Sequence, residues 1–410
     1  MNVIVGAGLA AVRAAEALRE AGSSEPIVMI GSERELPYEK PPLSKGLLRG
    51  ETTIEQARLH DEAFYRTHDI ELVLGSAATR LNVLERTIQL ASGREIAFRQ
   101  LLIATGSAPR RLGVPGEHLA NVLSLRTAAD ALRLAAELER ASRVVVIGGG
   151  LIGLEVASVA RAKGKEVTIV EASMQPLARL LLGADAGAAI ADLHRDHGTV
   201  VRTSVCVTEL LGVERVEGVV LSTGEAIPAD LVLVAVGVVP AVEWLRGSSL
   251  RVDDGVLVGA SLGTEVPGIF AAGDVARILQ RTTGRHVRFE QYGCAHDQGI
   301  VAGRAMAGAP VTAASIPGAG SEQFGVRMQL IGEPSSTDRV VVRGELARRS
   351  FVAFFLRDGA VRAAFVMGRP RDVPAVRKLV TGGLRIDERL LVDESQPLIS
   401  MAQPRSSAER

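Results

Sequence analysis

The 410-residue chain is poor in cysteine: it has two, Cys206 and Cys294, far apart and in no metal-ligand or disulfide spacing. A disulfide framework is excluded, and a reducing compartment fits. No charge of one sign dominates, since 47 basic and 47 acidic residues give a formal net charge of zero. That argues against nucleic acid or an anionic membrane as the main partner. Long hydrophobic runs are missing too. Segments such as 231–239 fall well short of the roughly 20 apolar residues that span a bilayer. The first strand pattern begins at about residue 2, so no signal or transit peptide is expected. These absences predict a cytoplasmic chain without a membrane segment, and its length predicts two or three domains.

What the chain has is glycine in two particular turns. The first is Gly6-Ala7-Gly8-Leu9-Ala10-Ala11, and the second is Gly148-Gly149-Gly150-Leu151-Ile152-Gly153. Each follows a short apolar strand (2–5 and 144–147) and opens an alanine-rich helical pattern (9–20 and 151–163). Glycine at 22 and 164 caps each helix. A second strand follows in each case, 27–30 and 166–170, and then an acid, Glu33 or Glu171. This is the dinucleotide-binding βαβ unit, twice. Glycine lets the backbone approach a pyrophosphate whose charge sits on a helix N-terminus. A lone glycine motif is weak, because glycines occur in ordinary turns, but two complete units are strong. Two dinucleotides in one chain mean that one can reduce the other.

Glu171 directly follows its strand, where it can accept both ribose hydroxyls and repel a 2′-phosphate. NADH is therefore expected over NADPH, against the blander reading of a solvated strand-end glutamate. Glu33 lies slightly beyond its strand end, and Ala11 takes the third glycine position, where close helix–strand packing is all that is needed. Between 36 and 45 the prolines predict a rigid, extended connection rather than a helix. Strands are expected at 71–74, 101–104, 143–147, 231–236 and 264–272, with a helix at 128–140. Thr105-Gly106 ends one of these strands, where doubly wound sheets place ligands. Gly237 and Gly273-Asp274 end two others. Beyond about residue 324 the pattern becomes antiparallel, with strands at 326–331, 339–343 and 350–366, a hairpin turn at Asp358-Gly359 and a helix at 373–380. The last residues, 404–410, are expected to fray. His194 and His197 lie three apart on a predicted helix, but no further ligand completes a zinc set, so no metal is expected and both are read as solvent-facing. Cys294 reads as a small buried apolar residue. Arg369, Arg371, Arg377 and Lys378 read equally well as a docking patch or a solvated helix face.

The sequence resembles the FAD-dependent ferredoxin reductases of bacterial oxygenase systems, the putidaredoxin reductase and biphenyl dioxygenase reductase group. The residues that carry the resemblance are Val5 to Ala10, Leu36-Pro37-Tyr38 with Pro41-Pro42-Leu43-Ser44-Lys45, Ala104-Thr105-Gly106, Gly148-Gly149-Gly150 with Ile152-Gly153-Leu154-Glu155, and Ala272-Gly273-Asp274. It covers nearly the full length. Flavin reductases that work through a disulfide carry a cysteine pair near 36–45, and none stands here.

The resemblance implies an α/β fold of two Rossmann-like, glutathione-reductase-like domains plus a C-terminal α+β domain with an antiparallel sheet. The expected boundaries are 1–112 with 246–322 for FAD, 113–245 for NAD, and 323–410 for the last domain. Gly6, Gly8, Leu9, Ala10 and Glu33 would hold the ADP half of FAD. Lys40, Pro42, Ala104, Thr105, Gly106, Gly273 and Asp274 would contact the rest of it, with Asp274 on the ribityl chain. Glu290, Gln291 and Tyr292 would open a helix aimed at the flavin pyrimidine carbonyls. Gly148, Gly150, Leu151, Ile152, Gly153, Glu171 and Gly237 would hold NAD. Lys45, near flavin N5, and Glu155, at the nicotinamide, would be the catalytic pair.

The implied activity is transfer of electrons from NADH through FAD, one at a time, to a small [2Fe–2S] ferredoxin serving a P450 or ring-hydroxylating oxygenase. The chain would act as a monomer or homodimer. Alternatives on the same fold are an NADH oxidase, a quinone or rubredoxin reductase, or an NADH-sensing flavoprotein resembling apoptosis-inducing factor. The sequence departs from the group at three places. Ala241 follows Pro240 where Asn is usual, and Gln175 replaces an arginine. Gly318-Ala319-Gly320-Ser321 stands where relatives carry aromatics over the flavin.

Overall fold

A computed structural model describes residues 1–181, 185–280, 284–309, 311–312 and 316–402. The expected frayed tail lies outside the described residues. The chain forms two compact units, one of Met1–Pro109, Arg126–Ala128 and Val238–Ser315, the other of Arg110–Leu125, Ala129–Gly237 and Ile316–Arg410.

The first unit is built on a five-stranded parallel sheet. Asn2–Val5 lies inside it, paired with Ile27–Ile30 on one side and Gln100–Ile103 on the other. Ile70–Val73 and Ile269–Ala271 form its edges. Apart from Asn2 and Gln100 at their starts, the inner strands are apolar, as suits strands covered on both faces; Val3, Ile4, Leu101 and Leu102 are fully buried. The helix Leu9–Glu20 follows the first strand, and Tyr292–Met306 packs against it. Glycine permits that packing. A Cβ at Gly299 would stand 2.5 Å from the Ala10 carbonyl oxygen, and one at Gly303 would stand 2.3 Å from that of Ala14. Prolines 41 and 42 do not hold the chain extended as expected. They occupy the first positions of a 3₁₀ turn, Pro41–Ser44, where a missing N–H costs nothing.

In the second unit another parallel sheet has the order Val200–Thr203, Glu166–Glu171, Arg143–Ile147, Leu231–Val234, Val122–Leu123. The helix Leu151–Ala162 follows the central strand. The same unit contains a five-stranded antiparallel sheet, ordered Gly318–Gln323, Val326–Gly332, Ala360–Met367, Ser350–Arg357, Arg339–Glu345. Its central hairpin turns at Asp358 and Gly359, both with positive φ (52° and 72°), the backbone a two-residue hairpin turn demands. The helix Val373–Gly382 packs on the strands Ala360–Met367 and Val326–Gly332, and its Val376 and Leu379 join the buried apolar cluster that includes Ile331 and Val366. No helix among the described residues is long and apolar enough to cross a membrane.

Candidate functional site

In the first unit, Gly6 ends the first strand with φ of +121°, and a Cβ there would overlap the Ala104 carbonyl oxygen at 2.0 Å. Only glycine fits. Gly8 faces open space, with no described atom within 4 Å of a built Cβ. It precedes the N-terminus of Leu9–Glu20, whose cap position carries no side-chain acceptor. Such a bare, backbone-lined N-terminus fits a pyrophosphate.

Glu33 stands beyond the second strand. Its Oε2 accepts from the Tyr38 hydroxyl at 2.5 Å and the Ala128 amide at 3.2 Å. Oε1 has only a long contact, 3.4 Å, from Lys40 Nζ. One oxygen thus fixes the carboxylate and the other keeps acceptor capacity for ribose hydroxyls. Lys40 also donates to the Arg126 carbonyl at 3.1 Å, and burial pulls its pKa down. Burial and the Glu33 carboxylate push the Tyr38 phenol well above its usual range.

Asp274 follows the strand Ile269–Ala271 through Gly273, itself at φ +81°. Its Oδ2 accepts from Ser107 Oγ at 2.8 Å and from Arg126 Nη2 at 3.0 Å. Thr105 Oγ1 donates to the Ala241 carbonyl at 2.8 Å, and the Gly106 carbonyl accepts from the Ala241 amide at 3.0 Å. The loop carrying Ala104, Thr105 and Gly106 is therefore tied down, and Ala241 serves it through backbone atoms alone. This is why alanine in place of asparagine leaves these two bonds intact.

Gln291 caps the helix Tyr292–Met306, and its Oε1 is buried without a partner among the described residues. An orphaned buried acceptor at a helix N-terminus suits a hydrogen-bonding ligand. Glu290 pairs with Arg288 at 2.8 Å, and Tyr292 donates to Glu39 at 2.8 Å. Gln298 Oε1 accepts from the Gly273 amide at 2.7 Å, fixing the Gly273-Asp274 turn. Pro42 lies in the 3₁₀ turn. Lys45 is half-buried just after it and donates to the Pro41 carbonyl at 3.3 Å. Cys294, in the first turn of the helix, is buried as expected.

In the second unit the glycine turn is equally constrained. Gly148 has φ of +107°, with the Ala235 carbonyl oxygen 2.4 Å from a built Cβ. Gly153 allows the helix to lie on the turn, since a Cβ there would meet the Gly148 carbonyl oxygen at 2.2 Å. Gly150 is the N-cap, without a side-chain bond, and Leu151 and Ile152 open the helix. Ile152 is an exposed apolar residue in this first turn, as a nucleotide-facing position would be. Glu171 accepts from the Gly149 amide at 2.6 Å through one oxygen and from the Ser173 amide at 2.7 Å through the other. Each oxygen keeps a lone pair, and the carboxylate is locked beside the turn. Gly237 ends the sheet side of this unit at φ +102° and accepts from the Arg110 amide.

Glu155 is buried one turn into the helix Leu151–Ala162, and Ser321 donates to its Oε1 at 2.7 Å. Gly318 to Ser321, where an aromatic is missing, form a strand. Gly320 is exposed there, with only a backbone oxygen at 4.0 Å from a built Cβ.

The expectation of solvent-facing histidines fails for His194 and holds for His197, which is exposed. His194 is completely buried, and His197 stacks on Phe324 at 3.9 Å. The three-residue spacing was read without the aromatic that comes from the antiparallel sheet. No cluster of three metal-ligating side chains exists among the described residues. Arg369 is engaged by Asp372 and Glu394; Arg371, Arg377 and Lys378 are exposed. Sequence reasoning missed Arg126, Ser107 and Gln298. The only signal was position: Arg126 just precedes a predicted helix, and Ser107 follows Thr105-Gly106.

Residues 2–299 match the family described as pyridine nucleotide-disulphide oxidoreductase, and residues 320–402 match a reductase C-terminal domain. The ferredoxin–NAD(+) reductase component of the anthranilate 1,2-dioxygenase system of Burkholderia cepacia is 39% identical over 398 residues, 95% of this chain and 96% of that protein. The crystal structure of the ferredoxin reductase for the CYP199A2 system of Rhodopseudomonas palustris superposes with a TM-score of 0.94 at 34% identity, covering 98% of this chain and all of that one. A covalent putidaredoxin reductase–putidaredoxin complex gives a TM-score of 0.92 at 33% identity, covering 98% of each chain.

Proposed function

The chain belongs to the pyridine nucleotide-disulphide oxidoreductase family, and we propose that it is an NADH-dependent ferredoxin reductase serving a P450 or ring-hydroxylating oxygenase. The doubled glycine turn carries this reading, one copy in each unit and each followed by an acid. No cysteine stands between residues 36 and 45, so electrons leave from the flavin and not through a disulfide.

FAD, when bound, takes a hydride as an electron pair and delivers single electrons to an iron–sulfur acceptor. The chain's residues bind, orient and tune. Gly6 and Gly8 bring backbone to the pyrophosphate, and Glu33 takes the ribose through Oε1. Arg126 and Ser107 fix Asp274 so that its remaining lone pairs meet the ribityl hydroxyls. The N-terminus of Tyr292–Met306, with Gln291, offers donors where negative charge collects on reduction. Lys45 would lie near the reacting ring atom. In the second unit Gly148, Gly150 and the first turn of the helix hold the NADH pyrophosphate, Glu171 holds its adenosine ribose, and Glu155 flanks the nicotinamide. A cytoplasmic location belongs to the same reading, supported by Cys206 and Cys294 forming no disulfide among the described residues.

Steady-state reduction of cytochrome c by NADH tests this. The expected outcome is turnover that rises at least tenfold when a [2Fe–2S] ferredoxin is added. Equal turnover without ferredoxin, with rapid oxygen consumption, would instead favour an oxidase, which the aromatic-free Gly318–Ser321 segment, exposed at Gly320, would suit.

A further inference from the structure

We propose that His194, Gln323 and Ser321 form a one-way hydrogen-bond chain that positions Glu155, making the strand Gly318–Gln323 a working part of the nicotinamide site. This rests on the placement of Glu155 at that site.

Ser321 and Gln323 are two apart on a strand, so they share a face; both are buried, while Glu322 between them pairs outward with Arg327 at 3.1 Å. Ser321 Oγ lies 2.7 Å from Glu155 Oε1, Gln323 Nε2 lies 3.0 Å from Ser321 Oγ, and Gln323 Oε1 lies 2.9 Å from His194 Nε2. A carboxylate only accepts, so the Ser321 hydroxyl must donate to Glu155. Its oxygen then accepts from the Gln323 amide, which turns Oε1 toward His194, and His194 must donate from Nε2. Every proton in the chain points toward Glu155.

The far end is closed. His194 Nδ1 is buried with no partner among the described residues, so a second ring proton has no acceptor. Phe324 sits edge-on to His194 at 5.1 Å. Its amide donates to Ser158 Oγ at 3.0 Å, three residues beyond Glu155 on the same helix face. The hairpin turn at Phe324 and Gly325, both at positive φ, is thereby pinned to the helix that carries Glu155. Leu151, Leu177, Met328 and Phe365 line an apolar recess with Ser321, and a hydrogen bond in such surroundings is poorly replaced by water. Ser321, Gln323 and His194 are positioning residues: they act through Glu155.

Three measurements on the flavin-loaded enzyme test the chain. Ring-nitrogen NMR is expected to show His194 protonated on Nε2 alone; a proton on Nδ1 alone would overturn the chain's direction. Ser321→Ala is expected to slow flavin reduction by NADH about tenfold in stopped flow. Its NADH dissociation constant should stay within about twofold and its flavin content full, and Ser321→Thr should restore the rate. Gln323→Met, which does not touch Glu155, should slow reduction in the same direction. Unchanged reduction in both Ser321→Ala and Gln323→Met, alongside a slowed Glu155→Gln, would overturn the positioning role and leave Glu155 in its site. Unchanged reduction in Glu155→Gln would overturn the placement of Glu155 itself.

Discussion

Burial pushes the pKa of His194 down from 6.5 to about 4, because a charged imidazole there would lose water and gain only the Gln323 carbonyl, with His197 nearby. The unfolded chain takes up a proton at this residue as pH falls through 6.5, and the folded chain does not until about 4. Stability is therefore unaffected above pH 6.5, declines through the window between, and levels off below it. A displacement of this size corresponds to about 3 kcal/mol across the whole window. The urea midpoint of the wild type is expected to fall more steeply between pH 7 and 5 than that of His194→Gln, which keeps a donor but cannot titrate. Parallel slopes would show that another group governs acid sensitivity. Glu171 makes a separate prediction. Its carboxylate is locked by the Gly149 and Ser173 amides, so it cannot swing away from a 2′-phosphate. An unrelieved like-charge contact costs about 1–3 kcal/mol, or roughly ten- to a hundredfold in kcat/KM. NADH should be preferred by that factor, and Glu171→Ala should narrow the gap by weakening NADH and relieving NADPH. Equal kcat/KM values in the wild type would remove Glu171 from the ribose site.

Elements were legible where local chemistry alone decides them. The strand and helix after each glycine turn could be read because a glycine with no room for a Cβ, an apolar strand and a glycine stop all lie within 30 residues of sequence. Asp358-Gly359 was equally plain, since few residue pairs accept positive φ twice. The 3₁₀ turn at Pro41–Ser44 was misread because proline forbids a helix interior but favours a helix start, and the two contexts look alike in sequence. The contact between Leu9–Glu20 and Tyr292–Met306 was invisible for a different reason: its partners are nearly 290 residues apart, and Gly299 and Gly303 carry meaning only once the helices meet. Gly303→Ala should therefore cost about 1–3 kcal/mol, since its methyl must displace the Ala14 backbone and Ala17. The denaturation midpoint should fall with an unchanged slope, while Gly259→Ala, whose Cβ would meet only the Gly263 carbonyl oxygen at 3.9 Å, should cost less than half as much. Equal costs at the two positions would mean that the helices part easily.

At the scale of the whole molecule, the sequence displayed two nucleotide sites because each βαβ unit is complete in itself. It hid what links distant segments, such as Arg126 and Asp274, or His194 and Gln323, because neither partner has a local pattern. The same division has a thermodynamic consequence. The residues proposed to bind flavin, Gly6, Gly8, Glu33, Arg126 and Asp274, all fall in one compact unit, and those proposed for NADH, Gly148, Gly150 and Glu171, fall in the other. A ligand stabilises whatever must stay folded to bind it, by about 2.7 kcal/mol when present at a hundred times its dissociation constant. A chain of this size need not unfold in one step. No histidine or cysteine stands in a covalent attachment context, so acid should release the flavin and leave apoprotein. Scanning calorimetry of that apoprotein should show two transitions. Adding FAD should raise one by several degrees and leave the other within about a degree, whereas NAD⁺ should raise the second. A single transition that either ligand shifts would show that the two units unfold as one.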